Sequence, residues 1–298
     1  MNIFLTGKNG QLGSELQRTL APLGTIHASD IEDMDFRDLP RLRDFVRELK
    51  PDAIVNASAY TAVDRAESQA EIAQDVNGSA PGVMAEEARR LRAAFIHFST
   101  DYVFDGSKGS PYIETDPPNP LGVYGSSKLA GEQATQAAGG AYLIFRTSWV
   151  YSTDKPSFVT KLLGWARQHE TLRIVDDQTS NPTWCRTLAE IVAQLLEDAG
   201  PDAPAWIKER RGLYHLAAEG AVSRYTWAKA ILANAPRTEE LAAREILPAK
   251  STDFPTPAAR PVNSSLDCGL FDATFGIPRP GWEEALRRAL QSPRENPK

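Results

Sequence analysis

The sequence predicts an α/β protein: a doubly wound parallel sheet followed by a smaller carboxyl-terminal lobe. Three observations carry this reading. Short apolar runs of strand length alternate with longer amphipathic stretches through the first half, the pattern of repeated βα units. A glycine-rich turn follows the first apolar run at once and opens a helix. Beyond Thr147 the alternation loosens, as expected where a chain leaves its sheet.

Composition supports an ordinary globular chain and excludes several classes. Its 298 residues are 42% hydrophobic and 24% charged, enough for a sizeable core. The net charge is −6, with acidic and basic residues intermixed. A nucleic-acid surface would need clustered cations, so none is expected. Cys185 and Cys268, and the histidines His27, His97, His169 and His215, fall in no metal or redox spacing. No apolar run approaches the ~18 residues of a membrane span. The first residues enter a strand without a cationic leader, so a cytoplasmic protein with no membrane partner is expected.

Ile3-Phe4-Leu5 is the first strand, and Thr6 to Gly13 follows it with glycines spaced Gly-x-x-Gly-x-x-Gly. Such a loop provides a tight turn, close backbone approach to a pyrophosphate, and close helix–strand packing. Gly7, Gly10, Gln11, Leu12 and Gly13 are therefore candidate dinucleotide contacts. Leu12, Leu16 and Leu20 give helical spacing to Ser14–Leu23, and a helix amino terminus is an anion site. The next strand, Thr25–Ser29, ends at Asp30, about twenty residues after Gly10, where an acid hydrogen-bonds the adenosine ribose. Asp30 favours NADH; for NADPH, Lys8 is the cation available to offset repulsion of a 2′-phosphate. Leu39–Leu49 reads as an amphipathic helix and Asp52–Asn56 as the third strand. The small residues Ala57, Ser58 and Ala59, followed by Tyr60, let the backbone approach a flat cofactor at that strand's carboxyl end.

Ala94–Phe98 is a short apolar run of the kind a buried parallel strand makes, and Thr100 lies at its carboxyl end. After a proline-rich loop, Tyr124 and Lys128 sit four apart at a helix start and share one face. A free tyrosine has a pKa of about 10. An ammonium one turn away stabilises the phenolate and is expected to lower that value. The pair can then exchange a proton with a substrate oxygen, to which Thr100 can also hydrogen-bond. Tyr142–Thr147 is a further strand. The second half reads as a helix at Phe158–His169, a strand at Thr171–Asp176 and a helix at Thr187–Leu196. A linker at Ala199–Pro204, a strand at Gly212–Leu216 and a closing helix at Trp282–Leu290 follow.

Thr100 at a strand end, followed by Tyr124-Gly125-Ser126-Ser127-Lys128, resembles the extended short-chain dehydrogenase/reductase family. The strings Ser99-Thr100-Asp101-Tyr102-Val103-Phe104-Asp105-Gly106 and Arg146-Thr147-Ser148-Trp149-Val150-Tyr151 resemble, more narrowly, the dTDP-4-dehydrorhamnose reductase family. Matching segments run from Gly7 to Asn263. The resemblance implies a Rossmann-like NAD(P)-binding domain over residues 1–150. A substrate-binding lobe would cover 151–298, with some segments returning to the sheet. It implies reduction of the 4-keto group of dTDP-4-dehydro-L-rhamnose to dTDP-L-rhamnose by NADPH or NADH. Tyr124 would give the proton, Lys128 would lower its pKa and hold the nicotinamide ribose, and Thr100 would position the carbonyl oxygen.

By the same resemblance Asp35 and Phe36 lie beside the adenine, and Thr61 and Val63 face the substrate. Asp101 and Tyr102 shape the sugar site and Trp149 flanks the sugar ring. Asn77 has a structural or cofactor-adjacent role. Arg260 and Asn263 lie in the proline-stiffened Pro255–Ser264 segment, where an arginine suits a diphosphate. Some relatives are bridged into homodimers by Mg²⁺. Glu15 and Glu190 match two such ligands, but Leu290-Gln291-Ser292-Pro293 offers no third carboxylate, and no metal is assigned. Two alternatives stay open. One is a nucleotide-sugar epimerase or 4,6-dehydratase, although Thr100-Asp101-Tyr102 lacks the dehydratases' Asp-Glu pair. The other is a non-catalytic regulatory subunit on the same fold.

Overall fold

Residues 1–236 and 240–291 are described by a computed structural model. Its centre is a six-stranded sheet of β1 (Asn2–Thr6), β2 (Thr25–Ser29), β3 (Ala53–Asn56), β4 (Ala94–Thr100), β5 (Ala141–Thr147) and β6 (Gly212–His215). The spatial order is β2-β1-β3-β4-β5-β6, and every pairing is parallel. The chain runs outward from β1 to β2, then crosses to β3 on the other side. Open α/β sheets bind ligands at such a reversal, outside the strands' carboxyl ends. Thr6 and Asn56 are in register, so the loops after β1 and β3 begin side by side.

Successive strand residues point to opposite faces, and both faces are covered, which is why the strands read as almost continuous apolar runs. Ile3, Leu5, Val55 and Ile96 pack towards helices α1 (Gln11–Leu20) and Cys185–Ala199. Phe4, Ile54 and Phe95 pack towards α2 (Leu39–Leu49) and α3 (Ala80–Leu91). The expected second-half helix at Thr187–Leu196 spans Cys185–Ala199, and it covers the sheet rather than the lobe. β6 likewise comes from the second half and extends the sheet beside β5.

The linker expected at Ala199–Pro204 is instead a tight 3₁₀ turn, Gly200–Asp202, running into a helix, Ala203–Glu209. Asp202 caps that helix by accepting from the Ala205 amide at 3.3 Å, and Pro204 lies in its first turn. Asp and Pro are helix starters in those places, so the proline marks a beginning rather than a break. The lobe has its own core around Trp227, Tyr151 and Leu162. One of its two-stranded sheets pairs Thr171–Val175 with Glu245–Ala249, a strand whose Pro248 reads against it in sequence and is tolerated at an edge. Ser292 and Pro293 lie outside the described residues. Among those described, no helix is long and apolar enough to cross a membrane.

Helix α4 (Val123–Ala138) sits unusually close to its neighbours. A Cβ on Gly125 would lie 2.2 Å from the Tyr102 carbonyl, and one on Gly131 would lie 2.1 Å from the Asn77 carbonyl. An ion pair buried between α4 and β5 fixes the helix: Arg146 donates to both Glu132 oxygens at 2.8 and 2.7 Å. Ser99 Oγ, on β4, donates to Glu132 at 2.5 Å. Removing one partner of such a pair leaves the other charge uncompensated. Glu132→Gln should therefore lose about 3–5 kcal/mol in urea unfolding, whereas a loss under about 1 kcal/mol would place the pair with exposed ones.

Candidate active site

The glycine loop meets its three physical demands with different residues. Gly7 has φ +76°, and its amide donates to the Ser29 carbonyl at 2.8 Å. A Cβ there would lie 2.7 Å from the Ala57 carbonyl oxygen, so only glycine lets the two loops touch. On Gly13 a Cβ would lie 1.9 Å from the Gly7 carbonyl, which draws α1 against the loop. Gly10 is the α1 N-cap and supplies no side-chain cap, leaving the first helical amides to a ligand. At the end of β3, Asn56 Oδ1 accepts from the Thr6 and Ser58 hydroxyls at 2.6 and 2.7 Å, locking the floor between the loops.

A cleft of about 760 Å³ opens there. Gly7, Gly10, Gln11 and Leu12 form one wall, and Asp30 and Phe36 one end. Ala57, Ser58, Ala59, Tyr60 and Thr61 line the floor, with Tyr124 and Lys128 deeper in. Gly13 lies behind the loop. Asp35 lies outside the wall but binds Arg37, which lines it, at 2.6 Å. Arg37 and Lys155 are cleft residues that the sequence reading missed; the only signal for Arg37 is a cation directly after the acidic Asp30–Asp35 segment. Asp30 accepts from the amides of Asn9 (2.9 Å) and Ile31 (2.8 Å). Lys8, the cation expected to offset a 2′-phosphate, is paired with Asp33 at 2.7 Å. The glycine cradle, the uncapped helix end and the volume together fit a dinucleotide.

Deeper in the cleft, Lys128 is buried and its ammonium donates to the Phe98 carbonyl at 2.6 Å. Burial pulls its pKa down to about 8, and Glu132 opposes that. Burial likewise pushes the Tyr124 phenol well above its ordinary value, with the Thr100 hydroxyl opposing. The expected lowering of the Tyr124 pKa by Lys128 is therefore not what this geometry gives: the ammonium faces β4, and desolvation dominates. Thr100 Oγ accepts from the Tyr102 amide and donates to Asp101, both at 3.2 Å. The Tyr102 ring stands edge-on to Tyr124, centroids 5.6 Å apart.

Asp101 is buried, and its carboxylate is held by hydroxyls: Ser264 at 2.5 Å, Ser180 at 3.1 Å, and Thr100. Ser180 and Ser264 belong to the second half of the chain, so this carboxylate ties it to the end of β4. Asn77 sits in a π-helical turn, Asp75–Ser79, and is structural. Its side chain accepts from the Tyr60 amide at 2.8 Å and donates to Ser127 Oγ at 3.0 Å, joining the cleft floor to α4.

The remaining expected site residues lie beyond the cleft walls. Val63, Tyr102 and Tyr124 line an adjoining narrow hollow with Ala258 and Pro261. Arg260 pairs with Asp64 at 2.8 Å. Asn263 Oδ1 accepts from the Ser265 amide and hydroxyl. Trp149 stacks on Trp227, centroids 5.6 Å apart. Glu15 and Glu190 both approach Arg18, at 3.0 and 3.7 Å, and Glu15 is also held by Arg186. Among the described residues, no group of three or more His, Cys, Asp or Glu could hold a metal. Two guanidinium-paired carboxylates do not fit Mg²⁺.

Burial raises the Asp101 carboxyl from 3.8 to about 6. The folded state then binds the proton more tightly than the unfolded chain. That stability is fully present below pH 3.8 and lost as pH rises through about 6. Asp101→Asn should accordingly gain on the parent protein by on the order of 2–3 kcal/mol between pH 4 and 7. Thermal unfolding of both across that range checks this; a difference independent of pH would contradict it.

A family model described as RmlD substrate binding domain matches residues 1–294. The chain is similar to a dTDP-4-dehydrorhamnose reductase of Burkholderia thailandensis, 43% identical over 96% of this chain and 97% of the relative. Among solved structures it is similar to a dTDP-4-dehydrorhamnose reductase from Clostridium acetobutylicum. That match has a TM-score of 0.89 and 32% identity, covering 97% of this chain and 98% of the other. A dTDP-4-dehydrorhamnose reductase from Bacillus anthracis in complex with NADP matches with a TM-score of 0.86 and 31% identity, over 96% and 97% of the two chains.

Proposed function

The chain belongs to the RmlD substrate binding domain family, and from that premise we propose how its residues reduce the 4-keto group of dTDP-4-dehydro-L-rhamnose to dTDP-L-rhamnose with NADPH or NADH. One observation carries the reading: Tyr124 and Lys128 line the same cleft as the glycine cradle. When bound, the reduced nicotinamide supplies the hydride that sugar C4 receives. Tyr124, kept protonated by burial, gives its proton to the developing C4 alkoxide, and Thr100 hydrogen-bonds the same oxygen. Lys128, one turn away and anchored on the Phe98 carbonyl, holds the nicotinamide ribose. Protonation as hydride arrives stabilises charge that exists only in the transition state, which is what raises turnover.

Around these groups, Asp30 binds the adenosine ribose, with Asp35 and Phe36 beside the adenine. Thr61, Val63, Asp101, Tyr102 and Trp149 shape the sugar site, and Arg260 and Asn263 serve the diphosphate end. Cys185 and Cys268 are buried free thiols, which supports the reducing cytoplasm as the compartment.

Tyr124→Phe removes the proton donor while leaving the ring. Loss of reduced-nicotinamide absorbance with dTDP-4-dehydro-L-rhamnose should slow at least about 100-fold in that variant. NADPH affinity should fall by no more than about tenfold, the most that one lost hydrogen bond accounts for. Near-normal turnover would sink the assignment.

A further inference from the structure

Arg224 opens the helix Arg224–Ala233, which Ser223 caps by accepting from the Thr226 amide at 3.1 Å. Its guanidinium carbon lies 4.0 Å from the Trp149 ring centroid and 4.7 Å from that of Phe158. The residue is only partly buried, and its backbone amide donates to the Gln178 carbonyl. Among the described residues no carboxylate, carbonyl or hydroxyl accepts a hydrogen bond from the guanidinium. Other inward-facing arginines differ: Arg146 is held by Glu132, Arg260 by Asp64 and Arg186 by Glu15.

The platform beneath it is strained. Trp149 has φ +39°, a left-handed conformation that side chains other than glycine rarely adopt. Neighbouring contacts hold it there: the Thr183 amide donates to the Trp149 carbonyl at 3.3 Å, and Ser148 Oγ donates to the Asn181 carbonyl at 2.8 Å. The stack therefore has a fixed position. One short stretch joins the two arginine segments: the Arg224 amide donates to the Gln178 carbonyl at 3.0 Å, and the Thr179 amide donates at 2.8 Å to the carbonyl of Val262, two residues after Arg260. Both guanidinium charges also bear on the Tyr102 phenol. Two cations thus converge beside the tyrosine that stands against Tyr124, and one of them has no counter-ion.

We propose that Arg224, held over Trp149, is a second arginine for the substrate's diphosphate, acting together with Arg260. The proposal rests on the reductase reading, which supplies a diphosphate next to the sugar. A guanidinium stacked on an aromatic face keeps its N–H edge free for paired hydrogen bonds to phosphate oxygens, and it loses little freedom on binding them. Trp149 then acts through two faces of its position: as a wall near the sugar and as the support that aims Arg224.

The test is titration of dTDP, thymidine and NADPH into the parent protein, Arg224→Gln and Arg224→Lys, with the KM for the dTDP-sugar measured alongside. Arg224→Gln should weaken dTDP and raise that KM about 10- to 100-fold, as expected for lost charge-assisted hydrogen bonds. Affinities for NADPH and thymidine should stay within about twofold, because neither ligand needs this arginine. Arg224→Lys should fall between, keeping the charge but not the planar fork. Unchanged dTDP affinity in Arg224→Gln would overturn the proposal, as would equal loss of dTDP and thymidine, which would mean a collapsed pocket. A parent protein that binds dTDP through Arg224 yet never oxidises NADPH would sink the reductase reading and leave this one standing.

Discussion

Helix α4 can lie where it does only because two of its residues have no side chain. Gly125 and Gly131 bring the helix within backbone contact of the segment after β4 and of the turn holding Asn77. That proximity lets the Lys128 ammonium reach the Phe98 carbonyl, Glu132 reach Arg146 on β5, and Ser127 reach Asn77. The face carrying Tyr124 and Lys128 is consequently fixed against the end of β4, where Thr100 sits. The site's geometry is a packing result before it is a chemical one.

Burial sets the chemistry within that frame. It holds the Tyr124 phenol neutral and makes the Lys128 ammonium easier to deprotonate, with Glu132 resisting the latter. An acid that stays protonated in the free protein suits a reductase, which must deliver a proton to substrate oxygen. Asp101 is the counterpart across the site, a carboxyl kept in hydroxyl contacts that reach from β4 to Ser180 and Ser264. The sheet and the second half of the chain therefore meet at the residue next to Thr100.

The parts legible in sequence were those set by local rules. Buried parallel strands read as apolar runs, the Gly7–Gly13 spacing marked the loop, and Tyr124 and Lys128 shared a helical face by arithmetic. What escaped was set at long range. That Cys185–Ala199 covers the sheet depends on α1 lying opposite, which no local pattern states. Glu245–Ala249 forms a strand despite Pro248 because Thr171–Val175 offers it an edge. The Ser180 and Ser264 contacts to Asp101, the turn of Lys128 towards Phe98 and the stacking of Arg224 on Trp149 each join residues far apart in the chain.

Direct transfer of hydride from cofactor to sugar within this cleft is the step on which every residue role depends. The measurement that tests it most directly is a reaction with NADPH deuterated at the transferred position, followed by mass and NMR analysis of the sugar nucleotide. Net reduction predicts product carrying the label at C4, in step with cofactor oxidised. Sugar changed at another carbon while the label stays on the cofactor, or no labelled product from folded protein that binds NADPH, would contradict it.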